Sequence, residues 1–94
     1  MIKVHIRRMV TDQNEEGLVA LINRLRSTIA GQPGYLSSET LRRIDPPDEI
    51  LVVSKWQSDF YWQQWYASPE RKAIQDWIDR LLEARTQYEI YEFE

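Results

Sequence analysis

The chain opens on a period of two. Ile2, Val4 and Ile6 alternate with Lys3, His5 and Arg7, which predicts a strand with one covered face. The period then lengthens: Leu18, Leu21, Ile22, Leu25 and Ile29 fall three and four apart and make one helical stripe. Asp12 with Glu15 three residues on has capping-box spacing, Asp standing in for Ser or Thr, and sets an expected helix start. Gly31-Gln32-Pro33-Gly34 ends that helix, because glycine takes a left-handed cap and proline cannot continue. Tyr35 to Arg43 and Ile50 to Val53 predict two strands around the turn Asp45-Pro46-Pro47-Asp48. Ser58, followed by Asp59, is a candidate cap for a short helix. Ser68-Pro69-Glu70 opens another, with Ile74, Trp77, Ile78 and Leu81 as its stripe. Thr86 to Phe93 predicts a closing strand.

The order β-α-β-β-α(α)-β specifies an α+β sandwich of the ferredoxin-like type, an antiparallel sheet with helices on one face, expected as one domain over residues 1–94. Ile50-Leu51-Val52-Val53 is apolar without alternation, as in a strand buried on both faces. Helices account for one face. A second copy of the chain is the simplest cover for the other, so a homodimer packed sheet to sheet is expected.

Composition narrows the chemistry. The chain has no Cys, which excludes disulfides, thiol nucleophiles and cysteine-held metals, and one His, which excludes a multi-His metal site. The net charge of −3, with no recurring basic stripe, argues against a nucleic-acid partner. No segment approaches the roughly 20 apolar residues of a membrane span, and Met1 to Val10 lacks the apolar run of a signal peptide. The expectation is a cytoplasmic protein with no membrane partner. Phosphate loops, nucleophile elbows and calcium loops are absent.

Four Trp, five Tyr and two Phe are a heavy aromatic load for 94 residues. Trp56, Phe60, Tyr61, Trp62, Trp65 and Tyr66 crowd into one strand end and the helix after it. Two readings stand open. The rings pack the sheet edge and a contact between copies, or some of them line a pocket for a flat apolar ligand, with Tyr61, Trp62 and Tyr66 as candidate substrate contacts. His5 is a candidate base for a phenol if its strand face looks into a pocket, and a hydrogen-bonding bystander otherwise. Arg7 shares that face.

The stretch Lys55-Trp56-Gln57-Ser58, then Trp65, Ser68 and Ala73, resembles the signature of the antibiotic biosynthesis monooxygenase family. The turn Gly31-Gln32-Pro33-Gly34-Tyr35 resembles that family's Pro-Gly turn. The resemblance implies a dimeric α+β barrel. It implies oxidation of a small quinol or hydroxyaromatic substrate by molecular oxygen, without metal, flavin or haem, and makes Trp65 a pocket wall or donor. His5, Arg7, Tyr61 and Tyr66 join Trp65 on chemical grounds, not by motif. The family's haem-degrading branch needs an axial His where this chain aligns Gln75, a poor iron ligand. Its pocket Asn is missing around Ile6-Arg7-Arg8. These departures argue against haem degradation and leave, as the alternative to an oxygenase, a non-catalytic small-molecule-binding or interaction dimer.

Overall fold

The alternating N-terminal segment becomes the second strand in from one edge of a four-stranded sheet. In the computed structural model, which describes residues 1–94, β1 (Ile2–Met9) pairs with β3 (Glu49–Trp56) and β4 (Gln87–Glu92). β2 (Tyr35–Arg42) pairs with β3 at the far edge, giving the order β2-β3-β1-β4 with every pair antiparallel. This is the α+β ferredoxin-like arrangement. Helices α1 (Glu15–Ile29), α2 (Asp59–Tyr66) and α3 (Pro69–Leu82) supply the opposing layer.

Side-chain parity sorts the two faces. Ile2, Val4, Ile6 and Arg8 of β1 are buried toward the helices, beside Ile50, Ser54 and Trp56 of β3. Lys3, His5 and Arg7 stand on the other face, opposite Lys55, Val53 and Leu51. The unbroken apolar run of β3 is thus divided: Ile50 and Val52 join the helix-side core, while Leu51 and Val53 lie half-buried on the face that no helix covers.

The helix-side core has two parts. One is aliphatic: Val10, Leu18, Ile22, Ile50, Ile74, Ile78 and Leu82. The other combines Ile2, Val4, Ile6 and Ile29 with Trp56, Trp62 and Trp65. Trp56 is fully buried, donates its indole N–H to Ser54 Oγ at 3.1 Å, and meets Tyr35 and Trp62 edge-on at 5.5 and 5.8 Å between ring centroids. Such edge-to-face pairs add about 0.5–1.5 kcal/mol each beyond the area they bury.

Four local expectations are corrected. The Asp12–Glu15 capping box does not form. Residues 12–14 are a turn, Asn14 is the N-cap, and its Oδ1 accepts the Thr11 N–H at 2.7 Å, so the helix starts at Glu15. Gly31 does not cap α1 in a left-handed conformation. The chain leaves through Ala30 in right-handed geometry, and the positive φ falls on Gly34, at +79°. Ser58 occupies the N-cap of α2 without a side-chain cap bond, whereas Ser68 Oγ does accept the Arg71 N–H, at 3.2 Å. Trp77 is 56% exposed and not part of the α3 core stripe; Leu82 fills the inward position instead. Trp77 keeps its ring at the surface beside the Arg80 guanidinium, 5.3 Å from the ring centroid.

Candidate functional site

Parity carries β1 past its apolar residues without a change of face. Position 8 therefore points inward like positions 2, 4 and 6, and it holds an arginine, Arg8, only 2% exposed. Its Nη2 donates to Gln75 Oε1 at 2.9 Å. Gln75, itself buried on α3, donates its amide to Asp79 Oδ1 at 2.8 Å and Thr86 Oγ1 at 2.9 Å. The Arg8 Nε is buried and has no hydrogen-bond partner. The chain's ion pairs, Arg7–Glu89 and Arg42–Glu15, do not include Arg8. Burial lowers its pKa well below the usual guanidinium range, to about 10; the neighbouring Arg71 cation lowers it too, and Tyr88 and Asp79 oppose the shift. At neutral pH it remains a buried cation without a direct counter-ion.

Arg71 is the second buried cation. Ser68 caps α3 at its backbone N–H, which fixes the first turn and the side chain rising from it. Its Nε donates to the Tyr66 carbonyl at 2.7 Å and its Nη1 to the Tyr88 hydroxyl at 3.0 Å, and the guanidinium lies 4.3 Å from the Tyr66 ring centroid. Every partner is neutral.

Arg8 and Arg71 line a cavity of about 40 Å³, walled by Ile6, Leu25, Val52, Trp62 and Trp65 and open toward the exposed Arg26 and Thr40. Arg26 on α1 reaches Thr40 on β2 at 2.7 Å along its border. Three arginines and no carboxylate line this space. A cation-rich cavity of fixed donors stabilises an oxyanion more strongly than water does, because the donors need not reorganise when charge develops. The volume suits about three waters. No grouping of three or more His, Cys, Asp or Glu side chains could hold a metal ion, and the Gln75 amide is engaged at both ends, by Arg8 at its oxygen and by Asp79 and Thr86 at its nitrogen.

The structure brings together part of the expected set. Trp62 and Trp65 line the cavity. Tyr66 contacts it through Arg71 and meets Trp62 at a tilt, 5.7 Å between centroids, and Tyr88 edge-on at 5.3 Å. Tyr61 lies outside it, against the turn at Gly34, where a Cβ would collide with its ring. His5 and Arg7 are on the opposite side of the sheet and do not meet Trp65. His5 tilts against Tyr91 at 5.0 Å with its Nδ1 buried and unpartnered, and Arg7 donates to Glu89 at 2.6 Å. The residues that sequence reasoning passed over, Arg8, Gln75 as a hydrogen-bonded partner and Arg71, are the polar ones. Parity was the available signal for Arg8.

The family profile of antibiotic biosynthesis monooxygenases matches residues 1–77. Similar solved structures include a conserved protein from Methanosarcina mazei Go1, 17% identical, with a TM-score of 0.90 over 99% of this chain and 92% of that one. Rv0793 from Mycobacterium tuberculosis is 16% identical, with a TM-score of 0.88 over 99% and 94%. SnoaB, a cofactor-independent oxygenase from Streptomyces nogalater, is 17% identical, with a TM-score of 0.80 over 99% and 92%. Likeness at these identities shows the fold. No curated protein sequence matches the chain. No helix is long and apolar enough to cross a membrane. The profile match spans most of the chain, and the sheet order and helix layer agree with it: this protein belongs to the antibiotic biosynthesis monooxygenase family.

Proposed function

We propose that the protein is a cofactor-independent monooxygenase that oxidises a small quinol or hydroxyaromatic, with the phenolate oxygen held at Arg8 between Trp62 and Trp65. The observation that carries this reading is the uncompensated cation: an arginine with a free, buried Nε among apolar walls. Burying it without a counter-ion costs stability, so an anionic ligand is its natural complement. Family membership and the resemblance in fold to SnoaB, described as a cofactor-independent oxygenase, support the same assignment.

The chemistry follows from the charge. Arg8 favours the phenolate over the phenol, and a phenolate is electron-rich enough to pass one electron to molecular oxygen. The resulting superoxide and aryloxyl radical combine at a ring carbon to form a C–O bond. Loss of water, carrying away that carbon's hydrogen, leaves a quinone. One oxygen atom enters the product and the other leaves as water, so no external reductant is consumed. Apolar walls keep solvent from the radical pair.

Oxygen uptake with a panel of hydroxyaromatics tests the reading. Uptake that is lost in Arg8→Met supports it; no uptake above background across the panel contradicts it. The cavity's small volume favours a second reading, a non-catalytic binder of a small anion, which predicts anion binding at Arg8 without oxygen uptake. Haem should leave its Soret band unchanged on titration.

The helix-free face is assigned to a second copy, as a sheet-to-sheet homodimer. Leu51 and Val53 are half-buried there, and Met9, Leu41 and Tyr91 expose apolar surface beside them. On this assignment His5 and Arg7 belong to the contact between copies. Sedimentation equilibrium at micromolar concentration should give the dimer mass; a monomer mass contradicts the assignment.

A further inference from the structure

The recess beside Arg8 has two unlike ends. Its floor is the inward face of three strands, and register fixes which side chains stand there: Ile6 of β1 lies opposite Val52 of β3, and Val52 opposite Thr40 of β2. Ser38 is on the same face, paired with Ser54. Over β1 and β3 this face is covered, and Ile6 and Ser54 are buried; over β2 it opens, with Ser38 half-buried and Thr40 exposed. The enclosed end measures about 40 Å³, and the recess with its open mouth about 490 Å³. A cavity that accepts benzene measures about 150 Å³. The enclosed end thus admits an oxygen and no ring, so a ring bound with its oxygen toward Arg8 lies in the mouth, over β2.

That mouth is cationic. Arg26 crosses it from α1, and its Nη2 donates to Thr40 Oγ1. The partner is neutral and takes one of the five guanidinium N–H groups. Tyr35 donates its hydroxyl to Ser38 Oγ at 2.8 Å, which leaves the Ser38 proton for an acceptor in the recess. No carboxylate balances these donors. Glu39, the acid of β2, pairs with Val53 on the other face of the sheet, and Glu15 is occupied by Arg42. In a chain of 15 acidic and 12 basic residues, three arginines around one recess without an acid run against the composition. The inner end repeats the imbalance, since the Arg8 Nε is buried and unpartnered. Cations therefore stand at both ends of the recess, one buried and one at the rim.

We infer that the recess takes a single-ring hydroxyaromatic acid, with its carboxylate held at the mouth by Arg26, Ser38 and Thr40 and its hydroxyl directed inward to Arg8. The inference rests on the reading of Arg8 as the holder of the phenolate oxygen, and it adds a second anionic group to the ligand. An arginine meets a carboxylate with two parallel charge-assisted N–H donors, a match that a neutral ester lacks. The floor from Ile6 to Thr40 spans two strand spacings, about 10 Å, the scale of one ring with oxygens at opposite ends. The ring lies outside the enclosed end, so the tryptophan walls stay where they are.

The test is calorimetric titration of the intact protein at neutral pH with 4-hydroxybenzoate and with its methyl ester, on wild type, Arg26→Ala, Arg26→Lys, Arg24→Ala and Arg8→Met. Arg24 and Arg26 are exposed on α1, so their variants keep the fold. The acid should bind the wild type about tenfold more tightly than the ester, the scale of one charge-assisted hydrogen bond. Arg26→Ala should remove that advantage, weakening the acid about tenfold and the ester less than about twofold. Arg26→Lys should recover part of it. Arg24 lies outside the recess, and Arg24→Ala should change either probe less than about twofold. Four results overturn the inference: no binding of the acid, equal affinity for acid and ester, an equal effect of Arg26→Ala on both, or an equal loss in Arg24→Ala. Arg8→Met separates the two readings, and loss of the acid in both Arg8→Met and Arg26→Ala supports both. Dependence on Arg26 without Arg8 keeps the carboxylate site and removes the phenolate reading. Dependence on Arg8 without Arg26 keeps the phenolate reading and overturns the carboxylate site.

Discussion

The two halves of the helix-side core differ in what they ask of their side chains. Val10, Leu18, Ile22, Ile50, Ile74, Ile78 and Leu82 fill space with aliphatic groups that carry no polar atom. The other half uses Trp56, Trp62 and Trp65 where leucine or isoleucine would pack, and each brings an indole N–H. Only Trp56 is satisfied within the chain, by Ser54. The cavity and its two buried arginines border this aromatic half. The aliphatic half packs without polar atoms, whereas the aromatic half borders a space lined by buried cations.

Substitutions can separate those roles. The largest effect is expected from Arg8→Met: oxygen uptake should fall about 100- to 1,000-fold, the scale of a lost oxyanion donor. Its stability should hold far better, because a methionine of similar length relieves the buried charge even as Gln75 Oε1 loses its donor. Urea denaturation beside the rate measurement checks both halves of that statement. Ile78→Ala is the converse. It should cost about 2–5 kcal/mol of stability with the activity per folded molecule unchanged. If Ile78→Ala abolished activity in the folded protein, the division between halves would fail.

Gln75→Leu is expected to be intermediate. It leaves Arg8 in place but removes its hydrogen bond, so kcat should fall about tenfold, with about 1–3 kcal/mol lost in stability. Gln75→Glu, which gives Arg8 a carboxylate counter-ion, should not restore kcat, because that carboxylate competes with the phenolate for the cation.

The pH dependence assigned to Arg8 has a definite sign. Its folded pKa, about 10, lies below the ordinary guanidinium value of the unfolded chain. Between those values the unfolded chain binds more protons, so this group's contribution to stability rises with pH there and is constant below about 10. Anion binding should move the opposite way, insensitive to Arg8 through neutral pH and weakening as pH passes about 10. Titrations with a permanently anionic ligand from neutral to alkaline pH check it. The smallest effect is expected from His5→Ala, less than about twofold on oxygen uptake, since His5 is across the sheet; a change in the dimer's dissociation constant is the readout that should move.

Much of this architecture was legible in the residues. The parity of Ile2, Val4 and Ile6, the spacing of Leu18 to Ile29, and the Ser68-Pro69-Glu70 start each describe a local rule that the fold obeys. The failures have physical causes. Asp12 and Glu15 have the spacing of a cap, but Asn14 takes the N-cap, two residues later than the spacing suggested. Trp77 fits the period of α3, yet its position on the helix points past the sheet to solvent. The candidate site was read through its rings because aromatic density is visible in one dimension. Its cations were not, because the convergence of Arg8, Arg71 and Gln75 depends on strand pairing and helix docking across more than sixty residues, as the Arg8–Gln75 bond shows. His5 drew notice as the sole histidine, but the parity that buries Arg8 sends His5 to the other face.

The central claim is that Arg8 holds a phenolate oxygen, and the most direct measurement is the ionisation of a bound phenol. Adding the protein to 4-nitrophenol, at a pH below that phenol's own pKa, should raise the yellow phenolate absorbance, because the cavity favours the anion. Arg8→Met should abolish the rise. An unchanged spectrum with the wild type, or the same rise in both proteins, would contradict the account.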